Sequence, residues 1–351
     1  MASSSAALRC ASLTAGPYLP ETRRIVAEAV ARNDSAANPI TDDAIEQEVR
    51  RIKHALDAAF PSQAEAVPFY ESAEWNKFPI AEAFRKFLLP SYGDLAVRAT
   101  AVVPSSAPPL SHRGLRAVEI GSGSGQHGMY LSSAFPGFFR EWQCTDIAPE
   151  LPTVARGITA LKAAVFPSVT THFPAPCVLD GGAWSPRPAW VGGDPFDVVY
   201  TANTLHIMPW SAAKTVLREI VPTLLGLSTP PRSESVGSAG RGGREHDSDN
   251  KPSSMPPSMK RLVVYGPFNY HGCFTTASNQ RFDGWLQQRS AALSGVRDVE
   301  AVIEAAAAAG LTQLEHDVAM PDNNRLLVFS NGGSAAVGGG VTGSAPPPTT
   351  S

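Results

Sequence analysis

The sequence is short of several things. Its 351 residues include only four cysteines, Cys10, Cys144, Cys177 and Cys273. They are widely separated and form no C-x-x-C pair, so neither a zinc site nor a disulfide framework is suggested. No metal is expected. No run of about 18 apolar residues occurs, and the stretch Ala305–Ala309 is far too short to cross a bilayer, so no membrane partner is expected. Neither sign of charge dominates: 29 basic and 32 acidic residues leave a net charge of -3. A partner held mainly by phosphate neutralisation, nucleic acid above all, is therefore not expected. Charged residues make up 17% of the chain and hydrophobic ones 43%. That balance excludes a wholly disordered chain and is enough for a sizeable core. There is no internal repeat.

Some stretches lack the apolar periodicity needed to pack. Residues 1–20 read as a loose tail, and residues 1–66 as an N-terminal extension with helical material at Thr22–Ala31 and Asp42–Phe60. In the second of these, Ile45, Val49, Ile52, Leu56 and Phe60 fall at helical spacing. The opening residues are rich in Ser and Ala with one Arg and no acid. The expected location is the cytoplasm, with organellar targeting by that segment as the alternative. Residues 228–260 turn to Ser, Gly, Pro and mixed charge and read as a disordered insertion; residues 331–351 read as a disordered tail. The main domain is expected over residues 67–330.

Within it, a helix is expected from Pro79 to Leu89, stopped by Pro90. From Leu115 onward short apolar runs alternate with helical patterns. Ala117–Ile120, Trp142–Asp146, Pro176–Leu179, Phe196–Ala202 and Leu262–Tyr265 read as strands, and helices follow at Leu151–Ala164, Ala212–Leu225 and Val299–Ala309. Such alternation builds a parallel sheet covered by helices on both faces, an α/β fold. Leu311–Val318 and Arg325–Phe329 flank Met-Pro-Asp-Asn-Asn and read as a closing hairpin that adds an antiparallel strand.

The chemistry gathers at the strand ends. Gly121-Ser122-Gly123-Ser124-Gly125 follows Ile120 directly, at the carboxyl end of the first strand, where open α/β sheets bind ligands. Glycines there admit positive φ and close approach of a ligand, and the N-terminus of the next helix favours a carboxylate or another anion. Gly123-x-Gly125-x-x-Gly128 also fits a dinucleotide fingerprint read two residues later. Because the apolar strand stops at Ile120, the first turn glycine is Gly121. Asp146, ending the second strand, stands where an acid accepts hydrogen bonds from ribose hydroxyls, or else caps a helix. Asp180 ends the third strand and could face an adenine amino group or simply form a turn before Gly181-Gly182. Asn203 would meet the cofactor. His206 would meet the substrate, as a general base or as a hydrogen-bonding wall.

Beyond this turn, the chain carries Asn76-Lys77-x-Pro79-Ile80, Glu119-Ile120-Gly121-Ser122-Gly123-Ser124-Gly125-Gln126-His127, Trp142-Gln143-x-x-Asp146 and Asn203-x-x-His206-Ile207. Tyr265-Gly266-Pro267-Phe268, Thr276-x-Ser278-Asn279-x-x-Phe282-Asp283, Arg297-Asp298 and Met320-Pro321-x-Asn323-Asn324 follow. Through these motifs, over roughly residues 69 to 330, the chain resembles the methyltransferase-like 26 family. The resemblance implies a Rossmann-like class I methyltransferase fold with a seven-stranded, mostly parallel sheet, and S-adenosyl-L-methionine as cofactor. It implies a cofactor set of Glu119, Gly121, Ser122, Gly123, Gly125, Asp146, Asp180 and Asn203, with His206 and Tyr265 at the reacting centre. Asn76, Lys77, Asn279 and Asp283 are expected in loops that close over the methyl group, their plainer role being capping and tethering. The chain departs from the family in its N-terminal extension, in residues 228–260, and before Gly295, where Ala-Leu-Ser replaces Pro-x-Trp. The expected activity is methyl transfer to a small molecule. The alternatives are an NAD(P)-dependent oxidoreductase using the shifted fingerprint and a non-catalytic S-adenosylmethionine-binding protein.

Overall fold

The computed structural model describes residues 42–60, 69–93, 114–227, 259–290 and 294–332. The helix expected at Thr22–Ala31, residues 228–258 of the insertion expected at 228–260 and residues 333–351 of the tail expected at 331–351 lie outside them. The first described helix, α1 (Asp42–Ala59), falls where the periodicity of Val49, Ile52 and Leu56 predicts it, and these three side chains are buried.

The second helix corrects an expectation. Pro79 suits a first helical turn because it lacks an N–H, but α2 begins earlier and spans Glu71–Ala83 with Pro79 inside it. Glu71 and Glu74 supply the acidic first turn that favours a helix start. A π-helical turn (Phe84–Leu88) and a tight turn (Leu89–Tyr92) carry α2 on to Gly93. Ile80, Phe84, Leu88 and Leu89 anchor this length in the core.

The remaining elements are β1 (Leu115–Ile120), α3 (Gln126–Ala134), β2 (Phe139–Asp146), α4 (Leu151–Ala164), β3 (Cys177–Val178) and β4 (Val198–Ala202). Next come α5 (Trp210–Thr215), continued through a π-helical turn into α6 (Val221–Leu225), and β5 (Arg261–Asn269). The chain then forms α7 (Ala277–Arg289), β6 (Arg297–Asp298), α8 (Val299–Ala307), β7 (Gln313–Ala319) and β8 (Asn324–Ser330). The main path of the sheet runs β3-β2-β1-β4-β5-β8-β7, with the short β6 added beside β5. Strands β1 to β5 pair in parallel; β8 lies antiparallel between β5 and β7. This is a Rossmann-like α/β fold with a mostly parallel sheet, and the antiparallel hairpin lies where the sequence predicts one.

The central strands β1, β4 and β5 are buried on both faces, as parallel strands under two helical layers must be. Alternate residues divide between two cores. Ala117, Trp142, Tyr200, Val263 and Tyr265 pack with α1, α2, α3 and α4. Val118, Ile120, Val199, Leu262, Val264 and Phe268 pack with α5, α6 and α8.

Two further corrections concern the end of the chain and its cysteines. Asn279 to Asp283, expected as loop, form part of α7, whose N-cap Thr276 accepts a hydrogen bond from Asn279 N. Cys144 and Cys177 are free thiols, but Cys273 is disulfide-bonded, which wide spacing along the sequence does not reveal. No described helix is long and apolar enough to cross a membrane.

Candidate functional site

The glycine turn sits on the C-terminal edge of the sheet and its backbone explains its composition. Gly121, Gly123 and Gly125 have φ of +72°, +56° and +75°, values that side chains with a Cβ resist. Gly121 N and Ser122 N donate to Thr145 O of β2 at 3.0 and 2.9 Å, and Ser122 Oγ accepts from Thr145 N at 3.1 Å. The turn is thus bolted to the neighbouring strand. A Cβ at Gly121 would lie 2.5 Å from Thr204 Oγ1, and one at Gly125 2.7 Å from Ile158 of α4. The chain leaving β4 therefore presses on one side of the turn and α4 on the other. Gly128, the last glycine of the shifted fingerprint, packs α3 on the Trp142 ring, where a Cβ would lie 2.4 Å from Nε1.

Asp146 is aimed at this turn. Its Oδ2 accepts from Gly123 N and its Oδ1 from Ile147 N, each at 2.9 Å, so two backbone donors fix the carboxylate. It caps neither following helix, whose N-caps are Ile147 and Glu150. Each oxygen keeps a further acceptor position for a ligand hydroxyl. Asp180 follows β3 next to it, since Leu179 N bonds to Asp146 O, but its carboxylate accepts from Gly182 N at 2.7 Å and forms the turn.

Glu119 lies behind the turn. It is 1% exposed and accepts from Trp142 Nε1 at 3.0 Å, and burial pushes its carboxyl up to about 8, so it is protonated at neutral pH. His127 is enclosed with it, Nδ1 3.8 Å from Glu119 Oε1. Burial and the nearby Lys77 push this imidazole down to about 4.

Asn203 and His206 both lie beside Gly266 of β5. Asn203, the first residue beyond β4, has φ of +55°, a strained value for a residue with a side chain. A Cβ at Gly266 of β5 would stand 3.7 Å from Asn203 Oδ1 and 3.6 Å from His206 Nδ1, so both side chains border the bare backbone of Gly266. The His206 ring packs edge-on to Phe282 at 5.4 Å. Burial, with the Arg297 charge nearby, pushes it down to about 4, so it is a neutral imidazole at physiological pH.

Tyr265 is not part of this group, which corrects its expected pairing with His206. Adjacent strand residues face opposite ways, so Tyr265 points to the α2 side while Gly266 faces His206. Its hydroxyl donates to Asn76 Oδ1 at 2.8 Å, and burial raises the phenol above its ordinary range.

The four loop candidates also turn out to be helical and internally bonded. Asn76 holds Tyr265. Lys77, 1% exposed, is ion-paired with Glu74 and lies 4.8 Å over the Tyr130 ring. Asn279 Nδ2 donates to Thr275 Oγ1 at 2.9 Å. Asp283 accepts from Val296 N at 2.7 Å and Gln287 Nε2 at 2.6 Å.

Sequence reading missed Tyr70, Glu74 and Gln126. Gln126, the first residue of α3, accepts from Tyr70 N at 2.8 Å and from Ser124 Oγ, and donates to Glu74 Oε1 at 2.6 Å. This buried network clamps the start of α2 beside the glycine turn. It brings Tyr70 across the turn, 3.3 Å from where a Gly123 Cβ would be and close enough to Asp146 and Glu150 for their charges to raise its hydroxyl, though burial raises it more. A lone Tyr before a helix carries no signal of this. Among the described residues no group of three or more His, Cys, Asp or Glu could hold a metal.

Solved structures similar to this chain include an O-methyltransferase family protein from Burkholderia thailandensis, at 13% identity and TM-score 0.41, covering 74% of this chain and 60% of that one. This chain thus spans about 60% of that protein's length. Others are the mitomycin 7-O-methyltransferase MmcR (14% identity, TM-score 0.40, 82% of this chain and 67% of that one) and an O-methyltransferase family 2 protein from Planctomyces limnophilus in complex with apigenin (14%, 0.40, 74% and 66%). A family model matches residues 100–227 and 252–331, more than half of the sequence, and the chain belongs to that family, described as "Protein of unknown function (DUF938)".

Proposed function

We propose that the protein is an S-adenosyl-L-methionine-dependent methyltransferase acting on a small molecule. The observation that carries the reading is the Gly121–Gly125 turn, placed between β1 and α3 with Asp146 bonded to its centre. The residues present fit the cofactor. The turn offers backbone without side chains, the first turn of α3 suits the carboxylate of an amino acid, and Asp146 keeps acceptor positions for ribose hydroxyls. When bound, S-adenosyl-L-methionine supplies an electrophilic methyl group on a sulfonium. Asp180, after β3, stands on the adenine side. Asn203, just beyond β4, stands on the cofactor side, and His206, three residues further on, stands where a nucleophile would be held. His206, pushed down to about 4 and therefore neutral and weakly basic, would serve as a hydrogen-bonding wall that aligns the nucleophile, with orientation supplying most of the rate.

The dinucleotide alternative expects six parallel strands in two mononucleotide-binding halves. The β7–β8 hairpin occupies the place of the second half here, which favours the methyltransferase reading. Calorimetry of the full chain with S-adenosylhomocysteine and with NAD tests it. Binding of the first alone is expected; binding of NAD alone would end the reading. The same titration on Asp146→Ala should lose about 1–3 kcal/mol, from charged hydrogen bonds to the ligand. A cofactor-binding protein without catalysis would bind S-adenosylmethionine and release no S-adenosylhomocysteine when offered cell-extract metabolites.

A further inference from the structure

The turn that carries His206 depends on its neighbours for hydrogen bonds. Leu205, His206 and Ile207 lie in the turn between β4 and α5, where Ile207 N donates to Thr204 O at 3.2 Å. A turn has no ladder to receive its carbonyls, so they are met from outside. Three are met from one place, the segment entering β6. Arg297 Nε donates to Leu205 O at 3.2 Å, Arg297 Nη2 to Met208 O at 2.5 Å, and Gly295 N to His206 O at 2.9 Å. Strand β6 in turn pairs Arg297 with Phe268 of β5, two residues beyond Gly266, which the imidazole borders.

The guanidinium is itself held. It lies 5.6 Å from the centre of the Trp210 ring, and Asp283, which accepts from Val296 N at 2.7 Å, adds an attractive charge. A Cβ at Gly295 would stand 3.1 Å from Asp283 Oδ1 and 3.7 Å from Arg297 Nη1, so the segment has little room to shift. Arginine suits the position: two donors of one planar fork reach carbonyls three residues apart, whereas a lysine brings a single ammonium on a flexible stem.

We propose that Arg297 is a positioning residue for His206: by holding the carbonyls on either side of it, the guanidinium keeps the imidazole beside Gly266. That an acceptor meets His206 there rests on the methyltransferase reading; the clamp does not. The test is an NMR titration of the histidine rings in the full chain, with His206 assigned by the signal that His206→Gln loses. Arg297→Lys keeps the charge and loses the fork, so a change reports position rather than charge. His206, held down to about 4 in the parent chiefly by burial, should titrate about one pH unit higher in the variant as the ring moves toward water. Hydrogen exchange at Ile207 should quicken about tenfold as the turn loosens. In cell extract, release of S-adenosylhomocysteine should fall about tenfold at undiminished affinity for it, because the reacting groups lose alignment while the glycine turn stays bonded to β2. An unchanged His206 midpoint with unchanged Ile207 exchange in folded Arg297→Lys would overturn the clamp. A parent that neither binds nor releases S-adenosylhomocysteine would overturn the methyltransferase reading and leave the clamp to the NMR result. Where the variant fails to fold, the parent decides: the Arg297 Nε proton, bonded to Leu205 O, should stay visible in mildly alkaline solution, and its loss to rapid exchange would overturn the proposal.

Discussion

At the scale of single residues, the glycine turn separates two costs that are usually confounded. Gly121 and Gly123 share positive φ, so an alanine at either should cost about 1–2 kcal/mol of backbone strain. Their surroundings differ. A Gly121 Cβ meets Thr204 Oγ1 at 2.5 Å, while a Gly123 Cβ meets only the ring edge of the half-exposed Tyr70, which can swing away. Urea unfolding should therefore show Gly121→Ala less stable than Gly123→Ala by a further 1–3 kcal/mol, roughly the cost of overpacking. Equal losses would mean that strain alone dictates glycine here. The glycines and Asp146 were legible in the sequence because their spacing to Ile120 and to the second strand carries the information. Tyr70 and Gln126 were not, since their roles arise from contacts across 56 residues of chain.

At the scale of elements, α2 departs most from its sequence reading. Pro79 signals a helix start, but the burial of Asn76, Lys77 and Phe78 upstream of it sustains a helix through the proline. Tertiary contacts override the local signal. Asn279 and Asp283 fail for a similar reason: polar residues suggest a loop, yet the Asn279 side chain bonds Thr275 just ahead of α7 and that of Asp283 holds the 294–296 segment. Because Tyr265 joins β5 to α2 through Asn76, Tyr265→Phe leaves a buried acceptor without a donor and should cost about 1–3 kcal/mol in unfolding free energy. S-adenosylhomocysteine affinity should stay unchanged, whereas a phenol at the reacting centre would show lost turnover with stability intact. Gln126→Ala removes the clamp between α2 and the turn. Hydrogen exchange at residues 70–77 should then rise, and the slowing by added S-adenosylhomocysteine that is expected in the parent should be lost.

At the scale of the whole molecule, two cores share one sheet, and ionisable groups sealed within them tie folding to pH. Burial pushes His127 and His206 down to about 4, and pushes Glu119 up to about 8 and Glu300 up to about 7. The unfolded histidines take up protons below about 6.5 that the folded ones refuse, so stability falls as pH drops from there toward 4. The acids act oppositely. Unfolded glutamates release their protons near 4.5 while the folded ones retain them, so stability also falls as pH rises from 4.5 to about 7 for Glu300 and to about 8 for Glu119. Between about 4.5 and 6.5 the two pairs nearly cancel, leaving a plateau with losses on both sides. From pH 7 to 8 Glu119 carries most of the remaining loss among these four, on the order of 1 kcal/mol. Glu119→Gln keeps an acceptor for Trp142 Nε1 but cannot ionise. Urea unfolding at pH 7 and pH 8 should show that loss in the parent protein and not in the variant. A parallel decline in both would place the titrating group elsewhere and leave Glu119 charged in the fold.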